Sequence, residues 1–363
     1  MLELDDNYFK EEERCGFKIP SMMKRAWAVE MELTCELLNI CSQYGLRIYA
    51  SWGTLLGAVR HKGFIPWDDD MDFDMPREDY MKLMDILKHK DIYTDFYVSS
   101  LYTEGTHCQP SATIMNYYKI PLPSEIQNKF YNFPYVAGID INPMDYVPRD
   151  KEFAETQLLI YGIIYDVAQR YEELNKNGEL ESRLIKIEDI CKTKFIRDNT
   201  LKQQLWKMSD NIAMLSNRDE SDYLCEMGRR IRGQMNYIMP VEWFDETEWV
   251  WFEYFKIPVP KGYDGILKLN YGEEYMKPRR TGAAHSYPFY KKQQEYLERF
   301  LSICEYIDTH CTEDITLDEI SKIAGFSKYH FTRLFKQFTN NTFYKYLNQK
   351  RIELALTLLA NPN

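Results

Sequence analysis

The sequence predicts a sheet domain of α/β or α+β type followed by a small all-α unit. Three observations carry this. Short apolar, β-prone runs alternate with helix-period segments between residues 22 and 142, residues 152–227 are almost wholly helical in pattern, and the helical texture returns from Gln293 to the end. The chain has 363 residues, 45% of them hydrophobic, with 19 Phe, 28 Tyr and 7 Trp. That is material for two hydrophobic cores and excludes a disordered or fibrous chain.

Residues 22–44 read as an amphipathic helix, with Ala26, Val29, Leu33, Leu37 and Ile40 three to four apart. Residues 47–52 form an apolar strand run ending at Gly53, residues 54–60 are helix-compatible, and Gly63 and Pro66 mark a loop. A second strand is predicted over 71–75, a helix over 77–89 through Tyr80, Leu83, Met84 and Leu87, and further strands over 96–99, 112–117 and 136–142. The charged stretches of the helical insertion at about 150–230 read as solvated faces. Residues 249–260 turn β-like, and 261–290 are rich in Gly and Pro, which places a domain boundary near 285–295, giving domains 1–290 and 291–363.

No apolar window approaches the roughly 20 residues needed to cross a bilayer, and acidic Glu3, Asp5 and Asp6 are the wrong sign for a signal peptide. The expectation is a cytoplasmic protein. Eight cysteines without a Cys-x-x-Cys pair read as reduced thiols, not a zinc site or disulfide framework. A net charge of −11 argues against coating nucleic acid with the whole surface, while leaving room for a local basic patch.

The most informative segment spans residues 51–75. Asp70, Asp72 and Asp74 alternate with Met71, Phe73 and Met75. On a strand, residues i and i+2 share a face about 7 Å apart, so Asp70 and Asp72 project together and can hold Mg²⁺. A solvated acidic loop is the plainer alternative, but it would not interleave apolar residues. A calcium loop fails because Met75 and Met81 stand where Gly and Glu are required. Upstream, Gly53 and Thr54 follow a strand and open a helix, a geometry suited to a phosphate oxygen. Asp140 lies between Ile139 and Ile141, where an ionised carboxylate is costly unless paired, metal-bound or capping the strand end.

In combination, Gly-Thr-Leu-Leu-Gly at 53–57, Pro-Trp-Asp-x-Asp-x-Asp at 66–72 and Ile-Asp-Ile-x-Pro at 139–143 make residues 25–290 resemble the LicD family, with its fukutin-related relatives, in the nucleotidyltransferase superfamily. The resemblance implies an α+β fold with a nucleotidyltransferase-like mixed sheet and surrounding helices. It implies that Gly53 and Thr54 form the nucleotide-side element, that Asp70, Asp72 and Asp140 are the catalytic carboxylates holding Mg²⁺ or Mn²⁺, and that Asp68 orders the loop. Arg60 and His61 are candidates for phosphate contact or for packing, and Trp67 for base stacking or a core wedge. Tyr271, Gly272, Tyr275 and Pro278 match the family's closing element, which shapes the cleft. The reaction implied moves a phospho-alcohol, such as phosphocholine from CDP-choline, to a hydroxyl of a cell-surface glycan such as lipopolysaccharide or teichoic acid. A lipid-linked glycan acceptor would bring the enzyme to the membrane surface without a transmembrane segment.

Residues 301–359 predict two short helices around Gly325, the first opened by Thr316 and the second by Ser327, a helix-turn-helix or a plain helical hairpin. Residues 296–325 carry 2 basic against 7 acidic side chains, and 326–363 carry 6 against 1. The run from Ile303 to Leu359 resembles the first half of an AraC/XylS-type DNA-binding domain. That resemblance implies base contacts from Tyr329, His330 and Arg333 and phosphate contacts from Lys328 and Lys336. The rival function is therefore a transcriptional regulator using the transferase fold as a sensor of nucleotide-activated alcohols.

Overall fold

The computed structural model describes residues 2–89, 95–103, 107–121, 125–233, 237–280 and 287–360. It divides into two compact units, residues 1–116 with 138–282 and residues 117–137 with 283–363.

The first unit begins with a hairpin of β1 (Glu12–Arg14) and β2 (Phe17–Ile19). Helix α1 (Ser21–Tyr44) follows Pro20 and stops at Gly45, whose φ of 63° gives its N–H to the last turn's carbonyls. Its buried stripe includes Ala26, Val29, Leu33 and Leu37, the residues the 3.6-residue period selects. Strand β3 (Tyr49–Ala50) is shorter than the predicted 47–52, because Trp52 already begins α2 (Trp52–His61). Then come β4 (Met71–Pro76), α3 (Arg77–Leu87), β5 (Tyr97–Ser99), β6 (Ala112–Met115) and the long β7 (Gly138–Pro148).

These strands form a mixed sheet in the order β3-β4-β7-β6-β5, with β4 and β7 parallel and the other pairs antiparallel. The helical insertion supplies α4 (Lys151–Gln169), α5 (Tyr171–Lys176), α6 (Leu180–Cys191) and α7 (Leu201–Ala213), with a core around Ile164, Val167, Leu184, Leu205 and Trp206. It ends sooner than the pattern implied. β8 (Ser221–Cys225) lies antiparallel on the second half of β7, α8 (Met227–Ile231) follows, and β9 (Met239–Pro240) pairs with β8. Only pairing with a distant strand makes so short a segment β.

The β-like run 249–260 is a hairpin of β10 (Thr247–Phe252) and β11 (Phe255–Pro260). Part of the Gly- and Pro-rich stretch 261–290 is helix α9 (Tyr263–Tyr271). Its glycines serve packing: a Cβ at Gly262 would lie 2.3 Å from Trp243 Cβ, and one at Gly265 2.5 Å from the Trp243 ring.

The second unit holds α10 (Lys291–His310), α11 (Leu317–Ile323), α12 (Lys328–Thr339) and α13 (Phe343–Ala360). Thr316 and Glu319 close a capping box on α11, Gly325 turns the chain at φ 67°, and the Ser327 hydroxyl accepts from His330 N–H on α12. Phe300, Ile320, Phe331, Phe335, Phe343 and Leu347 are buried between these helices. Residues 117–137 group with this unit: Tyr135 stacks on Tyr290 at 5.3 Å, and the Gln293 amide bonds both backbone groups of Val136. Among the described residues no helix is long and apolar enough to cross a membrane.

Candidate active site

The parallel pairing of β4 with β7 sets Asp72 directly opposite Asp140, and the antiparallel pairing of β6 sets Thr113 opposite Asp140. Thr113, Asp140 and Asp72 thus form one transverse row on one face of the sheet. Thr113 Oγ1 donates to Asp140 Oδ1 at 2.6 Å, and Asp140 remains open to solvent. Met71, Phe73 and Met75 are fully buried on the opposite face, as their alternation with Asp predicts.

Asp72 is gripped by the start of α2. Its N–H donates to Thr54 Oγ1 at 2.9 Å, and its carbonyl accepts from Ser51 N–H at 3.0 Å. Thr54 is 3% exposed, so its hydroxyl fixes the carboxylate strand where the sequence had suggested an open phosphate contact. Gly53 is needed for a different reason. A Cβ there would lie 2.1 Å from Asp68 Oδ2, so only glycine lets that carboxylate approach the helix start. Trp27 Nε1 holds the loop by donating to the Asp68 carbonyl at 3.1 Å.

Asp68, Asp69 and Asp70 each offer a carboxylate oxygen within 4.8 Å of the others. The structure therefore gathers Asp70 with Asp68 and Asp69 at the mouth of β4, and Asp72 with Asp140 one step along it. Burial and then the Asp70 and Asp140 charges push Asp72 well above the ordinary carboxylate range. Burial followed by Asp70 pushes Asp68 up to about 8. Glu30 of α1, 1% exposed, joins them: burial and then Asp70 raise it well above normal. Desolvated carboxylates packed this closely fit a divalent cation, whose charge offsets their repulsion and which takes hard oxygen ligands.

Arg60 and His61 fasten the cleft wall. Arg60 Nε donates to His61 Nε2 at 2.8 Å and its Nη1 to the Tyr275 carbonyl at 2.8 Å. Burial and then Arg60 push His61 down to about 4, so the imidazole is a neutral acceptor. Trp67 sits half-buried, edge-on to Phe17 and His61, each at 6.3 Å. Tyr275 is buried with its hydroxyl on Asp264 at 2.7 Å, whereas Tyr271 is 41% exposed and is raised by burial and then by Asp68 and Asp72. Tyr271 therefore borders the carboxylates.

A second cluster was missed by sequence reasoning. Trp52 stacks on Tyr237 at 5.6 Å, and the Arg229 guanidinium carbon lies 3.0 Å from the Trp52 ring centroid, with its Nε 3.9 Å from Glu226 Oε1. Asp74 is 6% exposed; burial and then Glu226 raise it well above normal. Asp74 Oδ1, Glu226 Oε1 and Asn270 Oδ1 are buried without a hydrogen-bond partner among the described residues. The Asp70-Asp72-Asp74 alternation was a signal for Asp74. Glu226 and Arg229 had none, because β8 and α8 meet β4 only through the tertiary fold.

In the second unit, Tyr329 is 82% exposed, and Arg333 and Lys336 are exposed beside it. Lys328 pairs with Asp318 at 2.5 Å, and His330 is half-buried with its ring 5.0 Å from Phe326.

A mixed sheet carrying acidic side chains on adjoining strands, with a Gly-Thr helix start gripping one of them, defines a nucleotidyltransferase-type domain. Residues 45–159 match the family model described as LicD/FKTN/FKRP, nucleotidyltransferase domain. The match assigns a nucleotidyltransferase-type transferase domain to those residues. The chain is 26% identical over 275 residues to the lipopolysaccharide cholinephosphotransferase LicD of Haemophilus influenzae, covering 70% of this chain and 93% of that one. Its C-terminal region is similar to two regulators. It is 33% identical over 54 residues to the regulatory protein SoxS of Salmonella typhimurium, covering 15% of this chain and 50% of that one. It is 37% identical over 57 residues to the uncharacterized HTH-type transcriptional regulator YbfI of Bacillus subtilis, covering 16% and 21%.

Proposed function

We propose that the protein transfers a phosphocholine-like phospho-alcohol from a CDP-activated donor to a hydroxyl of a lipopolysaccharide or related cell-surface glycan. The reaction would take place in the cytoplasm or at the membrane surface. The observation that carries this is the row Thr113–Asp140–Asp72 on adjoining strands, with Asp70 at its edge. Asp70, Asp72 and Asp140 would hold Mg²⁺ or Mn²⁺, which on binding would neutralise the donor diphosphate and the departing CMP. Thr54 and Ser51 fix Asp72 through its backbone, so the carboxylate is oriented before the donor arrives. Thr113 occupies Asp140 Oδ1 and leaves Oδ2 for a ligand. Gly53 and Asp68 shape the nucleotide side of the cleft. The test is CMP release from CDP-choline with Mg²⁺, in wild type and in Asp70→Ala/Asp72→Ala. Release that needs the metal and vanishes in the variant is expected; release unchanged in the variant overturns the reading.

A second reading is favoured by one observation. Tyr329, Arg333 and Lys336 follow one another at helical spacing on α12, all exposed, in the basic half of the C-terminal unit. They would carry DNA contact, with Lys328 reaching a phosphate only by giving up Asp318 and with His330 kept against Phe326. A mobility-shift series in salt tests it, and no shift at low salt removes it.

A further inference from the structure

We propose that a groove on the helical insertion of the first unit is the binding site for the acceptor's lipid portion, an amphiphile with an apolar tail and a phosphate-bearing head. This rests on the transferase reading for the word acceptor, but the amphiphile site stands on its own residues. The outer face of α4 presents Leu159, Gly162 and Ile163 into a groove of about 830 Å³ walled by α6 and α8. Leu159 is 64% exposed. A Cβ on Gly162 would reach Ile231 Cγ2 at 3.4 Å, so the glycine sets the width of the channel between α4 and α8.

Four cations, Arg183, Lys186, Arg230 and Arg232, line this groove against two carboxylates, Glu155 and Asp166. Arg183 and Lys186 are exposed and form no ion pair among the described residues. Their neighbours behave otherwise: Arg170 pairs with Glu173, Lys192 with Asp189, Arg197 with Glu181 and Lys202 with Glu172. The apolar floor, and a rim on which Arg183 and Lys186 stand among four cations against two carboxylates, together fit a tail and an anionic head. A second copy of the chain is disfavoured, because it would bring the same excess of positive charge against itself. A flat bilayer is a poor match for a concave channel.

The groove also leads somewhere. Tyr165, Gln169 and Arg232 line both it and an adjoining cavity of about 420 Å³, whose wall includes Asn142 and Glu226. Asn142 is opposite Asp74 in the sheet, one step from the Asp72–Asp140 row. A tail seated along α4 would therefore direct its head toward the carboxylates.

The test titrates dodecyl phosphate, below its micelle concentration, into the full chain, with dodecyl maltoside and inorganic phosphate as controls. Dodecyl phosphate is expected to bind, at least tenfold tighter than either control, and about tenfold more weakly in Leu159→Asp and in Arg183→Glu/Lys186→Glu. These positions are exposed, and circular dichroism confirms that the variants fold. Metal-dependent CMP release into water without acceptor should be unchanged in both variants. Equal binding of the maltoside, or binding that both variants leave intact, overturns the groove. Loss of acceptor-free CMP release in the folded variants also overturns it, by making the groove part of the donor site. Absence of CMP release in wild type, with dodecyl phosphate binding as described, would sink the transferase reading and leave the amphiphile site standing.

Discussion

Replacing Thr54 by Val isolates the contact that ties the start of α2 to the carboxylate strand. The side chain is nearly isosteric and 3% exposed, so the substitution removes the acceptor of the Asp72 N–H while adding no bulk. A buried N–H left without its partner costs about 1–3 kcal/mol. For a unit of this size that lowers Tm by roughly 4–8 °C at the middle of the range. The second bond, from Ser51 N–H to the Asp72 carbonyl, keeps the strand in place, so the protein should fold. The Asp72 carboxylate would be less firmly held, and CMP release should fall by about tenfold while donor affinity changes less. Thr54→Ser keeps the acceptor oxygen and should restore most of both. Thermal unfolding and initial rates on the three proteins decide it. A Val variant within 0.5 kcal/mol of wild type with an unchanged rate would refute the claim that this hydroxyl organises the site.

Three further outcomes are expected. Arg77 is buried between Asp145 and Asp210, with four N–H···O contacts of 2.6–3.1 Å, so Arg77→Met leaves two buried carboxylates uncompensated and should cost about 3–5 kcal/mol by urea unfolding. His61 holds its proton less tightly folded, at about 4, than at the ordinary 6.5, so the unfolded chain takes up the proton across that window. Stability should therefore rise from pH 4 to pH 6.5 by about 1–2 kcal/mol after solvent screening, and His61→Gln should flatten that rise in denaturant titrations at fixed pH. If the C-terminal unit binds DNA, Lys336→Ala should lower the salt slope of log affinity by about 0.9, the value for one phosphate contact, in a mobility-shift series.

Local pattern was enough for the elements that bury one face: α1 from its stripe, β4 from the Met/Phe alternation, α11 from Thr316 and Glu319. It failed where a distant partner decides. β8 is a strand because β7 is beside it, and α9 is helical although it carries Gly265, which lets the Trp243 ring close in. The site divides in the same way. Asp70 and Asp72 are legible as candidates from their alternation with buried Met71 and Phe73, and Asp140 from its place between Ile139 and Ile141. That Asp140 stands opposite Asp72, and not elsewhere on the sheet, is a matter of register between strands some 70 residues apart. Thr54 was legible as a residue but not as to its partner. Arg229, Glu226 and Tyr237 come from segments whose composition says nothing of Trp52 or Asp74.

The central claim is that carboxylates on β4 and β7 hold the cation that receives the donor. Calorimetric titration of Mn²⁺ into the protein saturated with CDP-choline, in wild type, Asp72→Asn and Asp140→Asn, addresses it most directly. Donor-enhanced metal binding in wild type, weakened at least tenfold in both variants, is the predicted result. Metal binding indifferent to the donor, or retained in both variants, would contradict it.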